Sequence, residues 1–140
     1  MVRLGQTKQE DRSRASKYLA IGRALRETAR TLGVLGEAKY GNGLAIVAIH
    51  AAIAYTDALT ITFREIKSTD GDHVRAADVL VHALGHRAPA EQVRRLRSIL
   101  DAKTHASYSG SYYTVDEGKR LLEQVNAYVD WADALIQDTA

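Results

Sequence analysis

The chain has 140 residues, the size of one domain and too short for two full ones. Hydrophobic residues make up 46% and charged residues 26%, a globular balance that excludes a disordered chain. Zero cysteines exclude a disulfide framework, a thiolate metal site and a cysteine nucleophile, and the formal net charge is only +2.

Residues 1–10 are polar and read as a flexible N-terminal arm without the apolar run of a secretory signal, so a cytoplasmic protein is expected. Residues 1–30 carry eight basic side chains against three acidic ones, whereas residues 114–140 carry two basic against six acidic. That asymmetry suits either a phosphate-binding face or two oppositely charged helices attracting across a bundle.

A first helix is expected over 11–36, with Tyr18, Ile21, Leu25, Leu32 and Leu35 as its apolar stripe and Arg23, Arg26 and Arg30 facing outward. Tyr40-Gly41-Asn42-Gly43 reads as a turn. A second helix follows over 44–67, apolar nearly all round, which places it at a bundle centre or a subunit interface. Its apolar stretch, residues 44–54, is interrupted by His50 and falls short of the roughly 20 residues of a membrane span.

Residues 68–72 read as a polar turn, and a short third helix is expected over 73–84, ended by Gly85. Pro89 opens a fourth helix over 90–105, with Val93, Leu96, Ile99 and Leu100 inward. After the tyrosine-rich connection 107–113, Thr114 and Glu117 have the spacing of a capping box for a last helix reaching Gln137. With alanine abundant, one proline and 6% aromatics, the chain is expected to be all-α: a single-domain, antiparallel up-and-down helical bundle of four to five helices.

Few residues point to chemistry. His50, Asp57 and Arg64 recur every seven residues, so they share one face of an otherwise apolar helix, and each needs a partner or solvent there. Asp72 is either the N-cap of the third helix or, with His73, part of a site. His82 and His86 lie four apart without a third ligand nearby in sequence, so no metal is expected. No phosphate loop or serine-hydrolase elbow occurs. The segment 96–113 joins a basic helix end to tyrosines, and Lys103, His105 and Tyr108 there combine a cation, an imidazole and a stacking ring. The expected binding residues are therefore Asp57, His73, Lys103, His105 and Tyr108, gathered where the fourth helix ends near the turn at 68–72. The alternative kept open is that Asp57 only ties to Lys103 as a structural bridge.

The segment Ala45–Ala58, with its AxxAIHAAxA character, resembles the central helix of HEPN domains. Lys103-Thr104-His105-Ala106-Ser107-Tyr108 is similar to that family's basic-x-x-Ala-x-Tyr signature, and the acidic last helix with Tyr128 and Trp131 looks like the family's last helix. The resemblance covers about residues 15–135. It implies an all-helical bundle, usually a homodimer, that is either a metal-independent ribonuclease of a toxin–antitoxin pair or a non-catalytic partner of a nucleotidyltransferase. The nuclease members carry an arginine and then, after four to six residues, a histidine. Arg97 stands one step too far from His105, while Arg75 and His82 meet the spacing on the short third helix.

The expected function is therefore a non-catalytic or weakly catalytic dimeric bundle that binds a nucleotide, RNA or a nucleotidyltransferase partner, with no cofactor and no membrane. The alternatives are a ribonuclease using His105 and Lys103, which leaves enzymatic activity open, or a purely structural interaction module. The dimer expectation rests on the second helix, which is apolar on more sides than one bundle core is expected to cover.

Overall fold

The computed structural model describes residues 4–107 and 110–139. Among them the chain forms five α-helices and one two-stranded antiparallel sheet, an all-α bundle in outline. The helices are α1 (Ala15–Leu35), α2 (Gly41–Arg64), α3 (Arg75–Leu84), α4 (Ala90–Ser107) and α5 (Val115–Asp138), and the strands are β1 (Thr7–Gln9) and β2 (Ile66–Ser68).

α2 is the axis of the molecule. Leu44, Ala45, Ala48, Ile49, Ala51, Ala52, Tyr55, Ala58, Leu59 and Ile61 are all buried, because α1, α3, α4 and α5 of the same chain pack around it. The apolar circumference that suggested a second copy is thus covered within one chain. By length and composition residues 38–64 are apolar enough to cross a membrane, with a window of mean hydropathy 1.7, longer than the stretch singled out from sequence. That window is 78% buried in the bundle, so its apolar length serves the core.

α1 begins later than expected, after a 3₁₀ turn over Arg12–Arg14 capped by Asp11, whose Oδ1 accepts from the Ser13 amide at 2.8 Å. Its core face also differs from the expected stripe. Gly22, Ala29 and Gly33 are the buried residues, with Leu25 and Leu32 half-buried, while Ile21 and Leu35 are more than half exposed. Small side chains let α1 approach α2 closely: a Cβ on Gly22 would stand 2.6 Å from the Tyr55 ring. The largest apolar residues are therefore a poor guide to the inner face here.

The expected turn at 40–43 is the first turn of α2, preceded by a 3₁₀ turn over Ala38–Tyr40. Gly41 packs on the backbone of Tyr113, where a Cβ would collide with the Tyr113 carbonyl. Asn42 donates Nδ2 to the carbonyls of Ala106 (3.1 Å) and Ser111 (2.9 Å) and accepts from the Tyr113 amide at 2.9 Å. One side chain thus ties the start of α2 to the end of α4 and the connection after it.

At its other end α2 stops at Arg64, not Lys67. Glu65 adopts the left-handed conformation (φ 54°), and the chain reverses into β2. This strand pairs with β1 in the register Thr7↔Ser68, Lys8↔Lys67, Gln9↔Ile66. Residues 7–9 are therefore a paired strand and not a free arm, held further by Arg12, whose Nε donates to the Thr62 carbonyl at 2.8 Å.

α3 starts at Arg75, two residues later than expected, and Gly85 ends it. The Pro89 carbonyl accepts from the Gln92 and Val93 amides as α4 begins. Thr114 and Glu117 form the capping box expected for α5. In the core between α2 and α5, Thr56 donates to the Ala52 carbonyl at 2.8 Å, and its oxygen lies 2.6 Å from the Tyr128 hydroxyl.

Candidate functional site

The segment after α2 decides the position of the site. Because Glu65 reverses the chain, residues 66–74 run back along α2: Lys67 lies 3.6 Å from Asp57, and His73 comes within electrostatic reach of His50. α4 runs antiparallel to α2, its end near Asn42, so its last turns pass the same level.

The turn itself is built from aspartate side chains bonding nearby amides, the usual way Asp stabilises a loop against competing helix. Asp70 Oδ1 accepts from the Asp72 amide at 2.9 Å and its Oδ2 from the Gln6 amide at 3.1 Å. Asp72 Oδ1 accepts from the Val74 amide at 3.3 Å, and its carbonyl from Arg75 at 3.0 Å. Asp72 thus braces the turn before α3 and is not its expected N-cap, a position held by Val74 without a side-chain capping bond. Bonds at both ends hold His73 in place.

From the other side, α4 buries Leu96, Ile99, Leu100, Lys103 and Ala106, a helical spacing of three and four. Lys103 continues the inner stripe and is only 6% exposed. A cavity of about 220 Å³ lies between the two, lined by Asp72, His73, Val74, Leu100, Lys103 and Thr104. Partial burial lowers the His73 pKa from its ordinary value, and the Lys103 cation adds to this, followed by His50. His50 is lowered in the same way, by desolvation first and Lys103 second. At neutral pH the His73 imidazole beside Lys103 is therefore uncharged, with the exposed Asp72 at the cavity's rim.

The five expected binding residues do not all meet. Lys103 and His73 share the cavity. Asp57 does not line it: it is 7% exposed, pairs with Lys67 and has Glu10 and Lys8 among its charged neighbours. His105, two residues beyond Lys103, is exposed, since two helical steps turn a side chain about 200° from the inner face. Tyr108 lies outside the described residues. His50 of α2 does not line the cavity but lies within electrostatic reach of His73, a proximity no spacing in the sequence announced, because it depends on how far the 66–74 segment travels back. In place of the Asp57–Lys103 bridge kept open as the alternative, Asp57 pairs with Lys67, for the same reason.

Among the described residues no group of three His, Asp or Glu side chains could hold a metal ion. His82 and His86 are both exposed, one on α3 and the other in the 3₁₀ turn after it. No protein-family model, curated protein or solved structure matches the chain.

Proposed function

We propose that this chain is a non-catalytic binding module that holds the terminal phosphate of a nucleotide or an RNA end in the His73–Lys103 cavity. The observation that carries this reading is a lysine placed on the buried stripe of α4 yet opening, beside His73, onto a cavity. An ammonium in low-dielectric surroundings attracts a phosphate more strongly than one in water, and imidazole and the Thr104 hydroxyl supply hydrogen bonds. At about 220 Å³ the cavity is below the roughly 300 Å³ that encloses a whole drug-sized ligand. It suits a phosphate group, with sugar and base outside.

In this reading the resemblance to HEPN proteins extends to nucleotide recognition and not to RNA cleavage, because Lys103 and His105 face opposite sides of α4. A nucleotidyltransferase partner, which would supply such a phosphate, is compatible with it.

Titration with AMP, adenosine and a 5′-phosphorylated oligoribonucleotide, followed by amide chemical shifts, tests the reading. AMP should shift the amides of 71–74 and 103–104, adenosine should not, and His73→Gln should weaken AMP about tenfold or more. Equal binding of adenosine would overturn it. Incubation of total RNA in EDTA separates binding from catalysis: intact RNA supports the module, whereas cleavage lost in His73→Ala would make His73 a general base and the protein an enzyme.

A further inference from the structure

α1 and α5 run antiparallel to each other, and each packs far more extensively on α2 than on the other. A groove remains between them. It is bridged at one end by two rungs, Arg23–Asp133 and Arg26–Asp130, both at 2.8 Å. The side chains expected to face outward are thus partly drawn into this seam, and Arg26 is only 13% exposed.

The register of the rungs is regular: stepping three or four residues forward along α1 steps as many backward along α5. The next rung is Arg30 with Asn126, and both line the following stretch of groove, of about 500 Å³. An amide stands here where the first two rungs have a carboxylate. Among the described residues Arg30 has no carboxylate within 4.0 Å. Asn126 Oδ1 and Arg26 Nε are buried and have no hydrogen-bond partner among the described residues. The orphaned Asn126 oxygen costs free energy unless a ligand or water meets it, and it borders the same groove as the exposed Arg30 guanidinium.

Beyond that position the lining turns apolar. Gly33, Val34 and Leu122 form it, and Val34 is 87% exposed. Lys119 and Glu123 border this stretch from α5, both exposed and of opposite sign. Glu27 borders the Arg23–Arg26 stretch, a cavity of about 360 Å³.

We propose that the α1–α5 groove binds a small carboxylate with an aliphatic tail, a short- or medium-chain fatty acid, its head on Arg30 and its tail along Gly33, Val34 and Leu122. The ligand's carboxylate takes the place that an aspartate occupies in the two rungs before it. A planar carboxylate matches the guanidinium fork. The Asn126 amide, turned about its terminal torsion, offers Nδ2 as a further donor from the same cavity wall. The apolar stretch follows the head directly, which favours a tail over a bare inorganic anion.

Calorimetric titration with sodium octanoate tests this, with octanol and acetate as separate arms. Octanoate should bind one per chain, and octanol and acetate about tenfold more weakly or less. Arg30 is exposed, so Arg30→Gln should keep the circular dichroism of the parent and lose octanoate binding about tenfold or more. Asn126→Asp should also lose binding, because it completes the third rung from within, and its Tm should rise above that of the unliganded parent. Equal binding of octanol and octanoate, unchanged binding in both variants, or no heat at millimolar octanoate would overturn the proposal.

Discussion

The Asp57 carboxylate and the Lys67 ammonium stand 3.6 Å apart, joined across the left-handed reversal at Glu65. Burial nevertheless outweighs the attraction. Desolvation pushes the Asp57 pKa up to about 6, with Lys67 pulling it back and the like charge of Glu10 raising it further.

That shift makes stability depend on pH with a definite sign. The folded-state value lies above the ordinary carboxylate value near 4, so the folded chain holds this proton more tightly than the unfolded one. The contribution is full below about pH 4 and is lost as pH rises through about 6. His50 and His73 act in the opposite sense: their lowered pKa values mean that protonation below about 6.5 costs the folded state. Comparison with Asp57→Asn isolates the aspartate. In urea melts the variant should exceed the parent at about pH 8, by up to about 3 kcal/mol, and lose that advantage near pH 4. A constant difference across this range would show that Asp57 does not titrate in the window.

Glu10 should act on Asp57 at a distance. It pairs with Lys8 at 3.0 Å and Arg14 at 2.6 Å, and it adds negative potential near Asp57. Glu10→Gln should lower the Asp57 pKa from about 6, read from its side-chain carbon shift. A rise would mean that Glu10 acts chiefly by positioning Lys8.

Thr56 and Tyr128 form a directed pair in the core. Thr56 gives its one hydrogen to the Ala52 carbonyl, so Tyr128 is the donor to Thr56. Burial raises the Tyr128 pKa, so it stays a donor throughout the useful pH range. Tyr128→Phe should cost about 1 kcal/mol in denaturant melts, leaving Thr56 bonded to its own helix. A loss below a few tenths would show that the pair contributes nothing net.

Two glycines should respond differently to alanine. At Gly22 a Cβ meets the Tyr55 ring at 2.6 Å, and the α1–α2 spacing must widen, at about 1–3 kcal/mol. At Gly41 the obstacle is the Tyr113 backbone, which is held by Asn42 and has no rotamer to change. Gly41→Ala should therefore be the more destabilising of the two. The reverse order would mean that the 110–114 connection yields more easily than the helix pair.

The site was only partly legible in the sequence. Lys103 falls where the Leu96–Ile99–Leu100 spacing continues, so a charged residue on an inner stripe was readable as an oddity. The meeting of Lys103 with His73 followed from helix lengths and turn positions. The place of Asp57 did not, because the second helix was read to Lys67; an end at Arg64 and a reversal at Glu65 carry the following segment back by several turns. That brings His50 in place of Asp57 within electrostatic reach of His73 and leaves Asp57 to Lys67. Glu65 is a left-handed non-glycine residue, which local propensity does not announce.

Hydrophobic periodicity, one proline and the Thr114–Glu117 pair determined by themselves that the chain is helical, where α4 and α5 begin and that α2 is apolar nearly all round. Those are local or one-dimensional properties, set by 3.6-residue spacing and by capping within one turn. Only the tertiary structure decided which face of α1 is inward, because close approach selects Gly22, Ala29 and Gly33 over the larger Ile21 and Leu35. It alone decided that α2 is enclosed within one chain, that residues 7–9 pair with 66–68, and that Arg30 faces an asparagine where Arg23 and Arg26 face aspartates. Each depends on the distance between segments remote in sequence, which packing and chain reversal determine and local pattern does not.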